Sequence, residues 1–305
     1  MERADGSAAA DVGLRTALID LSRGRQAMLS VAQPALGACL AAGRVPDARV
    51  IAVGLVAATA GYLAVFSLND VLDMRVDERA LAAGKEASPD GDVDTVFMRH
   101  PLAQGALPLP LALAWVGSLA AIALVGAAAL GTACALAFLG AVALEIAYCS
   151  LRSVTWAKTF VSGAMVGLGG IAGWVAVAPL TARALPFFAL LAVWEIAGRN
   201  LPNDLADIAA DSAVGLRTVA TTFGPRVSAR ATALGAFATA ALCLALPAPA
   251  LVRVAALAAC AWSMIAPVLG LAADPAPLRA GAYFNRASLF PALAFAAALA
   301  VALAA

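Results

Sequence analysis

The chain is poor in the residues on which most soluble chemistry depends. Charged residues make up only 13% of its 305 residues, against about 25% in an ordinary soluble domain. That is too little to cover a water-soluble globule of this size. There is one histidine, His100, beside Pro101, and no visible Ser-His-Asp arrangement. The five cysteines, Cys39, Cys134, Cys149, Cys243 and Cys260, stand singly in apolar stretches without a C-x-x-C pair, which excludes a disulfide framework and zinc-ligand spacing. Twenty basic residues against nineteen acidic leave a net charge of +1, so no basic field argues for a nucleic-acid partner. Residues 1–25 mix Glu2, Asp5, Asp11 and Asp20 with Arg3, Arg15, Arg23 and Arg25, without the unbroken apolar core of a cleavable signal peptide. This segment is assigned to the cytoplasm. No protein partner is implied.

What the chain has in abundance is apolar surface: 63% of residues are hydrophobic and the mean hydropathy is +0.90. They fall into blocks of about 20, the length that crosses ~30 Å of hydrocarbon. The polar and Gly/Pro-bearing breaks divide the sequence into nine expected spans, 26–43, 50–68, 107–127, 130–149, 158–179, 184–200, 227–246, 250–271 and 284–304. Helices are predicted throughout, because segments such as Ala121 to Ala129 are apolar on every face and lack the alternation of a barrel strand. The fold class is thus an all-α membrane protein. Gly163, Gly167, Gly169, Gly170 and Gly173 read as a packing surface. With the N-terminus inside, 16 of the 20 basic residues face the cytoplasm, and only Arg44, Arg49, Arg183 and Arg253 face the other side. This satisfies the positive-inside rule and puts the C-terminus outside.

The acidic residues are concentrated. Eight of 19 lie in 69–106 and three more in 200–226, the longest predicted cytoplasmic loops, where chemistry is to be sought. Residues 84–95, rich in Gly and Asp, read as a mobile insertion. The first cluster follows Asn69 and places Asp70, Asp73 and Asp77 at i, i+3 and i+7, one face of a helix that continues the second span. The second follows Asn200, with Asp204, Asp207 and Asp211 at the same spacing and Asn203 as the expected N-cap. Three carboxylates on one stripe repel unless a cation binds. Hard oxygen donors with no His or Cys nearby favour Mg²⁺ completed by substrate phosphates. Arg75, Lys85, Arg99 and Arg217 are candidates to pair with phosphate, or else headgroup-facing charges that set topology.

Taken together, these residues resemble the UbiA superfamily of intramembrane prenyltransferases. The resemblance rests on N-D-x-x-D-x-x-x-D at 69–77, D-x-x-D-x-x-x-D at 204–211 with Gly215, Arg217 and Thr218, the run Arg99-His100-Pro101-Leu102 with Gly105, and Tyr148 with Lys158. It covers about residues 20–300. It implies nine transmembrane helices around a central cavity, capped by two cytoplasmic acidic loops, with residues 1–25 as an N-terminal segment and 26–305 as the prenyltransferase domain. It further implies Mg²⁺-dependent transfer of a prenyl group from a prenyl diphosphate to a hydrophobic, commonly aromatic, acceptor within membrane lipid. By position, Asn69, Asp70, Asp73 and Asp77 would hold one Mg²⁺ and Asp204, Asp207 and Asp211 the other, with Asp70, Asp73, Asp204 and Asp207 central to catalysis. Asn69, Arg99, Tyr148, Lys158, Asn200 and Arg217 would contact the substrate. The stretch between Asp77 and Arg99 is about ten residues longer than the family pattern.

Within that reading the main catalytic task is to stabilise the diphosphate leaving group and keep water from the allylic cation. Glu145 and Glu195 lie inside spans, where a carboxylate is costly unless it faces a polar cavity. Each is a candidate to orient or deprotonate an acceptor, or else to pair with Arg152 or Arg199. Tyr62, Phe66, Tyr148, Trp156 and Trp194 are candidates to face a cation, or core and interfacial residues. A terpene cyclase of the same superfamily is an alternative, and an ion-coupled transporter is disfavoured because the acidic residues cluster at span ends.

Overall fold

A computed structural model describes residues 13–82 and 97–304; the 84–95 insertion and the first twelve residues lie outside that range. Among the described residues there is no strand. The helices are α1 (Leu14–Leu21), α2 (Gly24–Ser30), α3 (Ala32–Ala42), α4 (Ala48–Ala82), α5 (Leu109–Leu130), α6 (Thr132–Leu151), α7 (Lys158–Val175) and α8 (Leu185–Trp194). They continue with α9 (Leu201–Ala206), α10 (Ile208–Ala213), α11 (Val219–Phe223), α12 (Pro225–Ala245), α13 (Ala250–Cys260), α14 (Ala266–Ala273), α15 (Pro277–Ala287) and α16 (Phe290–Ala304). Seven helical runs are long and apolar enough to cross a membrane: Ala48–Ala82, Leu109–Leu130, Thr132–Leu151, Ala182–Ala206, Pro225–Ala245, Ala250–Ala273 and Pro277–Ala304. The other two expected spans are also helical, as α2–α3 and the glycine-rich α7.

Prolines explain where these runs bend. A proline lacks the N–H that would bond the carbonyl four residues earlier. Pro34 therefore leaves Ser30 O without its helical donor, at the Val31 break between α2 and α3. Pro202 and Pro267 each follow a π-helical turn, Glu195–Asn200 and Ala261–Ile265, the local widening by which a helix absorbs such a defect. Pro291 frees Ala287 O in the same way, and the buried Trp194 indole donates to that carbonyl at 2.9 Å. The last expected span accordingly begins earlier, at Pro277, and breaks after Ala287.

The glycines of α7 pack as the sequence suggested. A Cβ on Gly173 would lie 1.8 Å from Pro34 O of α3, and one on Gly163 would lie 2.8 Å from Ala192 O of α8. Helix α7 thus presses its backbone against two neighbours, while α6 packs beside it and α4 and α5 pack on α6. At roughly 52 Å, the 35-residue α4 outruns the ~30 Å hydrocarbon layer. Its final turns, which carry the first acidic cluster, continue past the apolar stretch 50–68.

The chain then returns through short helices. Thr218 caps α11 reciprocally: Thr221 N donates to Thr218 Oγ1 at 3.0 Å, and Thr218 N donates to Thr221 Oγ1 at 2.9 Å. Thr218→Ala is expected to cost about 1 kcal/mol in thermal unfolding and Thr218→Ser much less. Equal behaviour of the two variants would count against the cap.

Candidate active site

A cavity of ≈ 730 Å³ runs between α3, α4, α6 and α7, and both acidic clusters reach it. The first cluster lies on continuous helix, as its spacing predicted. Asp73 and Asp77 line the cavity, whereas the buried Asp70 lies behind them. Each carboxylate meets a nitrogen-bearing side chain from another part of the chain. Arg23 Nη2 donates to Asp70 Oδ1 at 3.2 Å and to Asn69 Oδ1 at 3.0 Å. Arg152 pairs with Asp73. His100 Nδ1 lies 3.0 Å from Asp77 Oδ2, and ligand atoms of Asp70, Asp77 and His100 fall within 4.8 Å of one another.

A histidine thus stands beside the first cluster, where the sequence reading expected none nearby. His100 is 23 residues from Asp77, but the chain returns to it because Asp20 accepts the backbone N–H groups of Phe97 and Met98 at 2.8 to 3.2 Å. His100 itself adopts φ 49°, a left-handed conformation uncommon for a side-chain-bearing residue.

The second cluster is placed by the π turn. Asn203 does not cap a helix; it lies inside α9, because the chain from α8 continues helically through Glu195–Asn200. The helix breaks instead at Asp207, with φ −94° and ψ 10°, so Asp204 and Asp211 lie on two short helices. All three carboxylates still line the cavity. Asp204 Oδ1 accepts from the buried Lys158 Nζ at 3.2 Å. Tyr148 Oη accepts from Lys158 Nζ and from Asn200 Nδ2, each at 3.0 Å. The structure therefore brings Asn69, Tyr148, Lys158 and Asn200 together with the two acidic clusters.

Arg99 and Arg217 are placed differently. Neither lines the cavity; Arg217 is exposed, and its backbone N–H donates to Arg152 O at 2.8 Å. Burial pulls the Arg152 guanidinium below its ordinary value, a shift that leaves an arginine charged.

A family model, the UbiA prenyltransferase family, matches residues 30–289. The chain belongs to that family. Its fold is shared by a UbiA homolog from Aeropyrum pernix K1 in the apo state, with a TM-score of 0.73 and 19% identity over 91% of this chain and 98% of the other. A UbiA homolog from Archaeoglobus fulgidus bound to DMAPP and Mg²⁺ matches with a TM-score of 0.68 and 18% identity, over 93% and 99% of the two chains. A digeranylgeranylglyceryl phosphate synthase structure matches with a TM-score of 0.65 and 15% identity, over 95% and 98%. No curated protein sequence matches the chain.

In this UbiA family member two further carboxylates face the cavity below the acidic clusters. Glu145 Oε1 accepts from Asn69 Nδ2 at 2.7 Å and from Cys149 Sγ at 3.3 Å. Arg152, its expected partner, is engaged by Asp73 instead. Glu195 accepts from Ser162 Oγ at 2.9 Å, and its Oε2 lies 3.6 Å from Arg199 Nη1, the expected pairing. Of the candidate aromatics, Tyr62, Phe66 and Tyr148 line the cavity. Trp156 packs on Phe160 and Phe223, and Trp194 is buried.

Sequence reasoning did not place Arg23 in the site, read Arg152 only as a partner for Glu145, and quoted His100 only within the Arg99-His100-Pro101-Leu102 run. The first two carried only the signal of a charge at a span end, which topology alone explains.

Proposed function

We propose that this integral membrane protein transfers a prenyl group from an isoprenyl diphosphate to a hydrophobic, aromatic acceptor, with Mg²⁺ as cofactor. The observation that carries this reading is two acidic clusters meeting at one end of a cavity whose other end is apolar. The donor set fits the ion: Asp204 Oδ2 and Asn200 Oδ1 are buried oxygens without a hydrogen-bond partner in the structure, and hard oxygens of this kind suit Mg²⁺. Asn69, Asp70, Asp73 and Asp77 on one wall would hold one Mg²⁺, and Asp204, Asp207 and Asp211 on the other a second. When bound, Mg²⁺ supplies positive charge to the departing diphosphate.

The chain's own residues do the rest. Lys158, Arg152 and Arg23, each now paired with a carboxylate, are the cations placed to receive diphosphate oxygens, and Tyr148 and Asn200 orient the headgroup between them. Arg99 and Arg217 are assigned to the outer rim of the same headgroup site. The apolar lining keeps water from the allylic cation left behind. Glu145 and Glu195 are positioned to orient an acceptor or accept its proton. The bound ligands named for the Archaeoglobus fulgidus relative, DMAPP and Mg²⁺, support the donor class. We further propose nine membrane passes within a single domain over 26–305, with the N-terminus and both acidic clusters cytoplasmic. Residues 1–25 precede that domain, and from them Asp20 and Arg23 reach the polar end of the site.

The test is a product screen by mass spectrometry, pairing C10 to C20 diphosphates with phenolic acceptors. Prenylated acceptor is expected with Mg²⁺, and chelation should lower product at least about 100-fold, reversibly. A cyclic hydrocarbon formed without acceptor would replace the transferase reading with a cyclase.

A further inference from the structure

The cavity does not stop at the depth a short prenyl group needs. Along α4 its lining runs without interruption from Asn69 through Phe66, Tyr62, Ala58 and Gly54 to Val50. Nineteen residues of one helix make this path roughly 28 Å long, close to the whole ~30 Å hydrocarbon thickness of a bilayer. Helix α6 lines the same path from Tyr148 to Cys134, and α7 lines it from Lys158 to Gly173. Among the described residues, no charged side chain borders it beyond Glu145 and Glu195, and it ends against Val45, Pro46 and Leu130. Ile51 and Leu55 line this far end and are also 47% and 56% exposed. The channel is therefore apolar beyond Glu145 and Glu195, close in length to the hydrocarbon thickness, and bordered at its end by exposed apolar side chains.

We infer that the donor carries a long tail, C20 or longer, which lies along α4, α6 and α7 and runs toward Leu130. This rests on the prenyl diphosphate reading above and specifies its substrate class. A C10 chain anchored at Asn69 would leave the Gly54 end of the channel unfilled. Small side chains on α4 set how far the tail can run. A Cβ on Gly54 would meet only Leu130 Cδ1, at 3.9 Å, so a larger side chain there enters the channel rather than the packed bundle. Gly54 lies roughly 22 Å and Ala58 roughly 16 Å from Asn69 along the helix. The two positions are therefore two settings of one length limit.

The experiment offers the full chain, in lipid nanodiscs with Mg²⁺, an equimolar mixture of C10, C15, C20 and C45 prenyl thiolodiphosphates, whose C–S bond resists cleavage. Bound species are read by native mass spectrometry. The nanodisc gives every tail an apolar alternative, so the ratios report fit to the channel. The wild type should hold C20 and C45 at least tenfold over C10. Gly54→Phe should cut C45 relative to C10 about tenfold, and Ala58→Phe should cut C20 as well. A wild-type preference for C10, or unchanged ratios in both variants, overturns the long-tail assignment while leaving the diphosphate reading intact. No bound analogue of any length overturns both.

Discussion

Asp204→Ala is expected to lower turnover by on the order of 10³-fold, the scale seen when one preorganised electrostatic contact to a developing charge is lost. It should also destabilise the fold. Asp204 and its partner Lys158 are both buried, with side chains 7% and 4% exposed and 3.2 Å apart. Removing the carboxylate leaves an ammonium held only by the Tyr148 hydroxyl at 3.0 Å and the Tyr148 ring, whose centroid lies 4.7 Å away. An uncompensated buried charge of this kind costs about 3–5 kcal/mol. The double variant Asp204→Ala, Lys158→Met should recover most of that stability and none of the turnover. Thermal unfolding in detergent, alongside diphosphate release, separates the two effects. Turnover retained by Asp204→Ala, or a double variant as unstable as the single, would contradict the role given to the pair.

Gly173→Val should produce the largest purely structural loss, at least about 3 kcal/mol, the upper part of the range for overpacking. The contact is between backbones: the added Cβ would meet Pro34 O at 1.8 Å and Pro34 C at 2.5 Å. No rotamer change relieves it, so α3 and α7 must separate, and both line the cavity. The reciprocal position behaves alike, since a Cβ on Gly37 would lie 2.5 Å from Gly170 O. Gly117 of α5 has nothing within 4 Å of its Cβ position, and Gly117→Ala should be neutral or stabilising by up to about 1 kcal/mol. Similar unfolding temperatures for Gly173→Val and Gly117→Ala would show that the close approach does not matter.

The parts of the site readable in the sequence are those that follow local spacing. Asp70, Asp73 and Asp77 share one turn-to-turn stripe of α4, and helical geometry converts that spacing into a face wherever the helix continues. The second cluster was readable as chemistry but not as conformation. Pro202 shifts the preceding turn into a π segment, Asn203 falls inside α9, and the break moves to Asp207. Arg23, Arg152 and His100 could not be read this way. Arg23 and Arg152 meet Asp70 and Asp73 across 47 and 79 residues, and nothing in their local sequence distinguishes them from charges that set topology.

Apolar run length and carboxylate spacing, taken alone, determined that this is a helical membrane protein with two acidic clusters, because a bilayer admits only self-satisfied backbone and a helix repeats every 3.6 residues. Tertiary structure decided the rest: which side chain answers each carboxylate, that Glu145 turns to Asn69 and not to Arg152, and that the cavity runs on from Asn69 to Val50. Such pairings depend on the rotation and approach of helices far apart in the chain. Close contacts such as Gly173 against Pro34 set those, and they follow from the packing of the whole bundle rather than from the spacing of residues within any one segment.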